Sequence, residues 1–467
     1  MKSIKNFCAA FLIVTLFYLS GCSSVDFDGE PGIAGSGSDK ELTGEKVNIQ
    51  IATWSLGYQK GIEEAIARFN RTNRSNIEIT LLQIPKYKYT EILNMLMTSN
   101  DGPDIFGINN EWLDTYINRN WALNISQYAD DDFLKDFPEW AIRFSKNPAF
   151  RGGIYTIPAT MITSRLIYNK DLFESAGLDS SKPPTTMIEL KEYALKISKA
   201  GVGNGKYGMA IPLGEDWAGF VQSMEMPLTY SGVYYYNFKK GTYDLDEYSK
   251  WFEMLADLKS RGGLYPGEAT LKIDTVRAQF ADGNIGMMFA SSWEPSVLKN
   301  QYEMKCRWGV AMPPAFDVAS TAKGKLMIVP GICYVVNPNS PEKEKVLEVW
   351  KYLYSRECLG EQYRQGGEIP VVEGITSDPE FKPDIENYSE FLPGKDDSPW
   401  PNVPIGSSEW ERFLIYKEAN EKYEKAGTIL QHGAAKLNEQ FMNKVAVKVI
   451  DIRDYTDKDF DPRQPLK

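Results

Sequence analysis

The order of apolar patterns along this chain constrains its fold more than any other feature. Residues 47–51 alternate as a strand does, an amphipathic helix follows, and residues 77–84 form the next strand. A second helix leads into a strand at 104–108. The order strand, helix, strand, helix, strand predicts right-handed crossovers in a mostly parallel sheet. A second run of the same kind begins near residue 165.

The composition is that of an ordinary globular protein with a large core, since 43% of the residues are hydrophobic and 25% are charged. A length of 467 residues suggests two or three domains, or one fold with two lobes. The formal net charge of −11 argues against nucleic acid as a partner. No apolar run after residue 22 is long enough to cross a bilayer.

Histidine and cysteine usage argues against a metal or a cofactor. The single histidine, His432, excludes histidine triads and multi-histidine zinc sites within this chain. Cys306, Cys333 and Cys358 are scattered and lack metal-ligand spacing, so we expect them to be small apolar core residues.

The N-terminus has the pattern of a secretory signal, with two lysines, an apolar run at 7–19 and small residues before Cys22. The quartet Leu-Ser-Gly-Cys that ends at Cys22 resembles the bacterial lipobox, in which the cysteine becomes the lipidated N-terminus. Residues 1–21 would then be the signal peptide. Residues 22–46, rich in Gly, Ser and acids, would be a flexible tether. The alternative is a plain signal peptide with a chance cysteine.

Four tryptophans stand just past predicted strands, each beside polar side chains. These candidate ligand-binding residues are Trp54 and Ser55; Asn110, Glu111 and Trp112; Asp216 and Trp217; and Trp293 and Glu294. In open α/β sheets, ligands bind outside the carboxyl ends of the strands. Flat aromatic faces beside amides and carboxylates suit a sugar, which has apolar C–H faces and a rim of hydroxyls. A single tryptophan in such a place more often packs in a core. The tryptophans assigned to the core are Trp121, Trp140, Trp251, Trp308 and Trp350.

Several sequence blocks together resemble family 1 of the extracellular solute-binding proteins of ABC importers, the group that contains maltose-binding protein. The matching blocks are 97–105 (MTSNDGPDI), 153–158 (GIYTIP), 166–173 (LIYNKDLF), 280–288 (FADGNIGMM) and 308–313 (WGVAMP). Met187 stands where the family usually has Trp, and Gly286 where it has Ala. Each block alone is weak, whereas their order and spacing are specific.

The resemblance implies a periplasmic-binding-protein-like fold of type II, with two α/β lobes and a hinge of several chain crossings. By position, the first lobe is expected at 47–160 and 316–356. The second lobe is expected at 165–311 and 362–450, followed by a C-terminal tail at 451–467.

The resemblance also implies a function. Binding residues of the family map onto Trp54, Ser55, Asn110, Glu111, Asp216, Trp217, Trp293 and Trp410. The protein would capture a carbohydrate, most often an oligosaccharide, without catalysis. As a monomer held at the cell membrane by its lipid, it would deliver this ligand to the transmembrane subunits of an ABC permease.

Two other functions remain open at this point. A secreted glycoside hydrolase also has a tryptophan-lined cleft, and Glu111, Asp216 and Glu294 could supply its pair of carboxylates. A surface lipoprotein that binds a non-sugar ligand or a protein is the third possibility.

Overall fold

The computed structural model describes residues 46–55, 59–108, 112–404 and 408–466. The expected signal peptide, Cys22 and nearly all of the tether therefore lie outside the described residues. The strands are β1 (Val47–Ser55), β2 (Ile77–Pro85), β3 (Ile105–Ile108), β4 (Thr160–Ile162), β5 (Ser164–Asn169), β6 (Tyr207–Met209), β7 (Tyr236–Asn237), β8 (Thr242–Tyr243), β9 (Ile285–Ser291), β10 (Trp308–Ala311), β11 (Leu326–Pro330), β12 (Cys333–Val336), β13 (Ile369–Pro370) and β14 (Asp397–Pro399).

The α-helices lie mostly between these strands. They are α1 (Lys60–Thr72), α2 (Tyr89–Thr98), α3 (Leu113–Asn118), α4 (Asp131–Leu134), α5 (Glu139–Ser145), α6 (Lys170–Ser175), α7 (Met187–Ala200), α8 (Met226–Leu228), α9 (Ser249–Ser260), α10 (Ile273–Ala281), α11 (Glu294–Gln301), α12 (Lys343–Leu353), α13 (Arg356–Arg364), α14 (Ser408–Glu421) and α15 (Ala426–Ala446). A π-helix occupies Trp217–Glu225.

The first lobe is built on a sheet with the strand order β12-β3-β1-β2. β1 pairs in parallel with β2 and with β3, as the strand–helix alternation predicts. β12 pairs antiparallel to β3, which brings a distant part of the chain back into this lobe. Trp350 on α12 is fully buried beneath the sheet and donates a hydrogen bond to the Tyr334 carbonyl at 3.2 Å, so its assignment to the core is confirmed.

The second lobe has the sheet order β10-β5-β9-β6 and differs from the prediction of a mostly parallel sheet. β6 runs parallel to β9, but β5 is antiparallel to both of its neighbours. β5 follows β4 after one residue, so its direction is set by the chain's passage from the hinge.

A third sheet, β13-β4-β11-β14, joins the lobes and forms the hinge. β4 leads directly into the second lobe, whereas β11 leads back into the first through β12. β4 pairs antiparallel with β11 and with β13, and β14 adds to the other edge of β11. Separate passages of the chain are therefore hydrogen-bonded into one sheet, and the molecule has the expected two-lobed α/β fold with a hinge of several crossings.

Arg165, at the start of β5, connects the hinge passages through a buried ion pair. Its guanidinium donates to both carboxylate oxygens of Asp397, at 2.8 and 2.9 Å, and the two side chains are 4% and 1% exposed. It also donates to the carbonyls of Glu390 and Leu392. The Arg165 side chain therefore binds the start of β5 to residues 390–397, which belong to the last segment that passes between the lobes.

The last passage between the lobes lies farther along the chain than the sequence-based boundary near 360. Side chains within 371–388 pack in the first core, namely Val371, Val372, Ile375, Phe381 and Tyr388. Phe391 is the first to join a core of the second lobe. These residues lie in irregular backbone, which has no helix or strand period that could have placed them.

Two of the three cysteines lie in the core as expected, and Cys306 does not. Cys333 and Cys358 are buried and free, and Cys306 is half-buried. Burial raises the pKa of the Cys306 thiol to about 11 and that of Cys358 to about 12. Within the described ranges, no helix combines the length and the apolar character needed to span a bilayer.

We expect Asp397→Ala to lower the free energy of unfolding by about 3–5 kcal/mol, because it leaves the Arg165 guanidinium buried without its partner. The matched control is Asp132→Ala, whose carboxylate pairs with Lys135 on the surface and is 87% exposed. Because that carboxylate is fully solvated, this control should leave the free energy of unfolding nearly unchanged. Urea melts of both variants measure the difference, and equal losses would contradict the structural role of the hinge pair.

Candidate functional site

A cavity of about 190 Å³ lies between the two lobes, above the hinge sheet. The first lobe contributes Trp140 and Arg143 from α5, and the hinge contributes Ile162 together with residues 327–330 of β11. The wall from the second lobe includes Trp217, Val221, Glu225, Tyr234, Tyr235 and Arg412. Since both lobes and the hinge line the same space, a molecule bound here would contact both lobes and the hinge.

The π-helix in the second lobe presents part of this wall. Trp217, Val221 and Glu225 stand four residues apart along it, and all three line the cavity. A π-helix has a wider turn than an α-helix, is rare, and occurs frequently at functional sites. The π-helix ends at Glu225, the last of these three cavity-lining residues, and α8 begins at the next residue.

The Trp217 ring packs against the Trp293 ring, and a lysine of the first lobe lies close to it. Its ring centroid lies 5.1 Å from that of Trp293 at an interplanar angle of 36°. The Nζ atom of Lys86, in the first lobe, lies 5.7 Å from the Trp217 ring. Trp217 lines the cavity, whereas Trp293 is half-buried behind it. Of these two predicted residues, Trp217 is therefore the one positioned to touch a ligand.

Glu225 and Arg412 form the polar part of the cavity wall. The Arg412 Nε donates to Glu225 at 3.0 Å, the Tyr416 hydroxyl donates to the same carboxylate at 2.8 Å, and both charged side chains are almost fully buried. The Arg412 guanidinium also lies 3.7 Å from the centroid of the Tyr235 ring. Burial lowers the pKa of Arg412, but the Glu225 charge outweighs it and the pKa rises well above its usual value. The guanidinium is therefore a fixed cation.

One nitrogen of Arg412 remains available. Nε and Nη2 are directed to Glu225, and Nη1 has no hydrogen-bond acceptor among the residues that the structure describes. Because Arg412 lines the cavity, this donor can serve a hydroxyl or carbonyl oxygen of a bound molecule.

Sequence patterns missed two of the cavity tryptophans. Trp140 was expected in the core, but it is half-buried on α5 and lines the cavity. Trp400 was not singled out; it lies in irregular chain just after β14, and its Nε1 donates to the Lys325 carbonyl at 3.1 Å. Its position between Pro399 and Pro401 was the available signal, since such a segment is rigid and cannot continue a helix or an inner strand.

The other predicted tryptophans do not line the cavity. Trp54 is 7% exposed and packs edge-on against Tyr89 in the first core, with ring centroids 5.3 Å apart. Trp112 is half-buried against the same core. Trp410 is 60% exposed on α14 and lies under Lys417, whose Nζ is 5.6 Å from the ring. Asn110, Glu111 and the side chain of Ser55 lie outside the described residues.

Two predicted carboxylates are engaged in ion pairs. Asp216, next to Trp217, pairs with Lys417 at 2.5 Å. Glu294, next to Trp293, is fully buried, and its two oxygens accept hydrogen bonds from Arg277 at 2.8 and 3.0 Å. Glu294 therefore has a structural role inside the second lobe, which differs from the predicted ligand contact. Its place in the first turn of α11 directs it to α10 rather than to the cavity.

We expect Glu294→Gln to lower the free energy of unfolding by about 3–5 kcal/mol, because Arg277 would keep a buried charge without a carboxylate. Asp274→Asn is the matched control, since Asp274 pairs with the same arginine but is 75% exposed. It should cost less than about 1 kcal/mol. Denaturant melts measure both values. Unchanged stability in Glu294→Gln, together with weaker ligand binding, would restore the ligand contact that the sequence suggested.

A family model described as "Bacterial extracellular solute-binding protein" matches residues 53–357. The matched region begins in β1 and ends in α13, so it includes both main sheets and the hinge strands β4 and β11. The family resemblance that the sequence blocks indicated is thereby confirmed.

Relatives with named ligands are similar to this chain at low identity. The maltotriose-binding protein of Pyrococcus abyssi is 25% identical over 318 residues, which cover 67% of this chain and 64% of the relative. The sn-glycerol-3-phosphate-binding periplasmic protein of Escherichia coli (strain K12) is 26% identical over 230 residues, or 47% of this chain and 49% of the relative. A solved maltose-bound protein of T. maritima has a TM-score of 0.69 at 19% identity, covering 85% of this chain and 100% of that one. The last comparison shows a shared fold.

Proposed function

The chain belongs to the bacterial extracellular solute-binding proteins, and from this premise we propose that it captures a neutral carbohydrate between its lobes for an ABC importer. The observation that carries the proposal is the composition of the interlobe cavity. Trp140, Trp217 and Trp400 line it, and the Glu225–Arg412 pair supplies fixed hydrogen-bonding groups beside them. Apolar faces flanked by a few oriented polar groups match a sugar ring.

Contacts from both lobes support capture by closure. A ligand shifts the equilibrium between open and closed forms only if it binds the closed form more tightly. Trp140 and Arg143 stand on the first lobe and Trp217 and Arg412 on the second, so a ligand that touches all four favours the closed form. The named ligand of the Pyrococcus abyssi relative, maltotriose, is of the proposed class.

Charge pairing in the cavity favours an uncharged ligand over a phosphate. Among the described residues, the cations that line the cavity each have a carboxylate partner: Arg412 has Glu225, and Arg143 has Glu139 at 2.9 Å. An anionic ligand would have to compete with these partners and would meet the charge of Glu225 in a poorly solvated place. We therefore favour a sugar over the glycerol phosphate that the Escherichia coli relative is named for.

We propose that binding is not followed by hydrolysis. A glycosidase needs two carboxyl groups that flank the scissile bond, one to donate a proton and one to act as nucleophile or base. Asp216 and Glu294 are held in ion pairs with Lys417 and Arg277, and Glu111 lies outside the described residues. Incubation with oligosaccharides should release no new reducing ends, and their appearance would favour the hydrolase.

A thermal-shift screen followed by calorimetry tests the proposed ligand class. Maltotriose, raffinose and xylo-oligosaccharides represent neutral sugars, and sn-glycerol 3-phosphate represents the anionic alternative. A ligand present at 100 times its Kd stabilises the folded protein by about 2.7 kcal/mol. If sn-glycerol 3-phosphate alone stabilises the protein, the proposal of a neutral sugar ligand is wrong. If no sugar stabilises it, a protein or another solute is favoured as the ligand.

We expect Trp217→Ala to weaken binding of the best neutral sugar by about 1–3 kcal/mol, or roughly ten- to a hundredfold in Kd, because stacking contact is lost. Trp121→Ala is the matched control. Trp121 is half-buried in the first lobe against Tyr116, with ring centroids 5.6 Å apart, and does not line the cavity. Isothermal calorimetry measures the Kd of the sugar for both variants. Equal affinities would mean that Trp217 only packs against Trp293.

We propose further that the mature protein is a monomer anchored through lipid on Cys22. The lipobox-like quartet and the polar stretch at 22–46 support this anchor. A single acyl chain binds membranes weakly, whereas two or three chains anchor stably. We expect Cys22→Ala to release the protein from membranes or to leave the signal uncleaved, as measured by fractionation and lipid labelling. A mature-sized, lipid-labelled variant in the membrane fraction would refute the anchor.

A further inference from the structure

The residues that follow α15 pack against the second lobe. After α15, residues 450–466 follow the surface of the second lobe, and the side chains of Ile450, Tyr455 and Phe460 are buried in its core. The final described residue, Leu466, lines the cavity between the lobes. We call residues 450–466 the C-terminal strap.

The strap makes a polar contact with the first lobe. The Tyr455 hydroxyl donates to the Asn147 Oδ1 at 2.9 Å, and Asn147 is 2% exposed. The same Oδ1 accepts from the Ala149 backbone N–H and so caps the short turn after α5. Because Asn147 also lines the cavity, the strap reaches both sides of the ligand site.

The strap also supports a cavity tryptophan. Phe460 packs between Phe238 and Trp400, with ring centroids 4.6 and 5.6 Å away. The Lys325 N–H donates to the Pro462 carbonyl at 2.8 Å, while the Lys325 carbonyl accepts the Trp400 Nε1 hydrogen bond at 3.1 Å. The Trp400 ring is therefore held between Phe460 of the strap and Tyr234, whose centroid is 5.1 Å away, and its nitrogen is held by a residue that the strap itself fixes.

We propose that the C-terminal strap positions Trp400 in the wall of the cavity, and that Phe460 is the positioning residue. Trp400 lies in irregular chain directly after β14, so the strand fixes where its backbone starts but not how its ring is oriented. The strap supports that orientation through Phe460, which lies sixty positions farther along the sequence. The consequence for ligand binding rests on the carbohydrate function proposed above, but the positioning of Trp400 does not.

Fluorine NMR of the ligand-free protein, labelled with 5-fluorotryptophan, tests the positioning directly. The Trp400 resonance is assigned as the line that disappears in Trp400→Phe. We expect Phe460→Ala to shift or broaden this line by more than its width and to leave the Trp121 line unchanged. Phe460→Tyr, which keeps the ring, should restore the wild-type line. Lys458→Ala, an exposed change within the strap, should have no effect.

Two further measurements keep the outcomes distinct. If Phe460→Ala does not fold, Phe460→Leu keeps apolar volume without the ring and should still move the Trp400 line. An unmoved line in either folded variant overturns the proposal.

Affinity for maltotriose should fall about tenfold in Phe460→Ala and recover in Phe460→Tyr. If wild type binds neither maltotriose nor any other sugar, the proposed function fails while the fluorine result still decides the role of the strap.

Discussion

A buried ion pair between Arg165 and Asp397 joins two passages of the chain at the hinge. Arg165 starts the first strand of the second lobe, and Asp397 belongs to the segment that reaches the hinge last. A planar guanidinium can satisfy a carboxylate and several carbonyls at once, which a lysine could not. The cavity depends on this registration, since its walls come from both lobes and from the hinge sheet.

Buried arginine–carboxylate pairs recur in the second lobe. Arg277 with Glu294 and Arg412 with Glu225 have the same design as the hinge pair. Such pairs contribute little net stability compared with apolar packing, but loss of one partner is costly, so they fix geometry rather than add strength. In the cavity this has a chemical effect: a polar surface is presented without a net charge, which suits hydroxyl groups.

How much could be predicted from the sequence depended on whether a feature is local. The strand–helix alternation predicted the parallel β1, β2 and β3 because periodicity reports local structure. It did not predict the antiparallel β5, whose direction depends on the passage through the hinge. Trp217 was singled out because it follows a strand, and it lines the cavity, while Trp140 and Trp400 reach the cavity only through tertiary packing. Glu294 was misjudged because adjacency to Trp293 in sequence does not fix side-chain direction at the start of a helix.

The Trp217–Trp293 pair gives the protein a built-in optical probe. Two indoles whose centroids are 5.1 Å apart and inclined by 36° couple their electronic transitions. A coupled pair produces a near-ultraviolet circular dichroism signal that depends on the angle between the rings. Since Trp217 lines the cavity and Trp293 does not, a molecule that enters the cavity would meet only one member of the pair. Occupancy can thus be followed spectroscopically in the unlabelled protein.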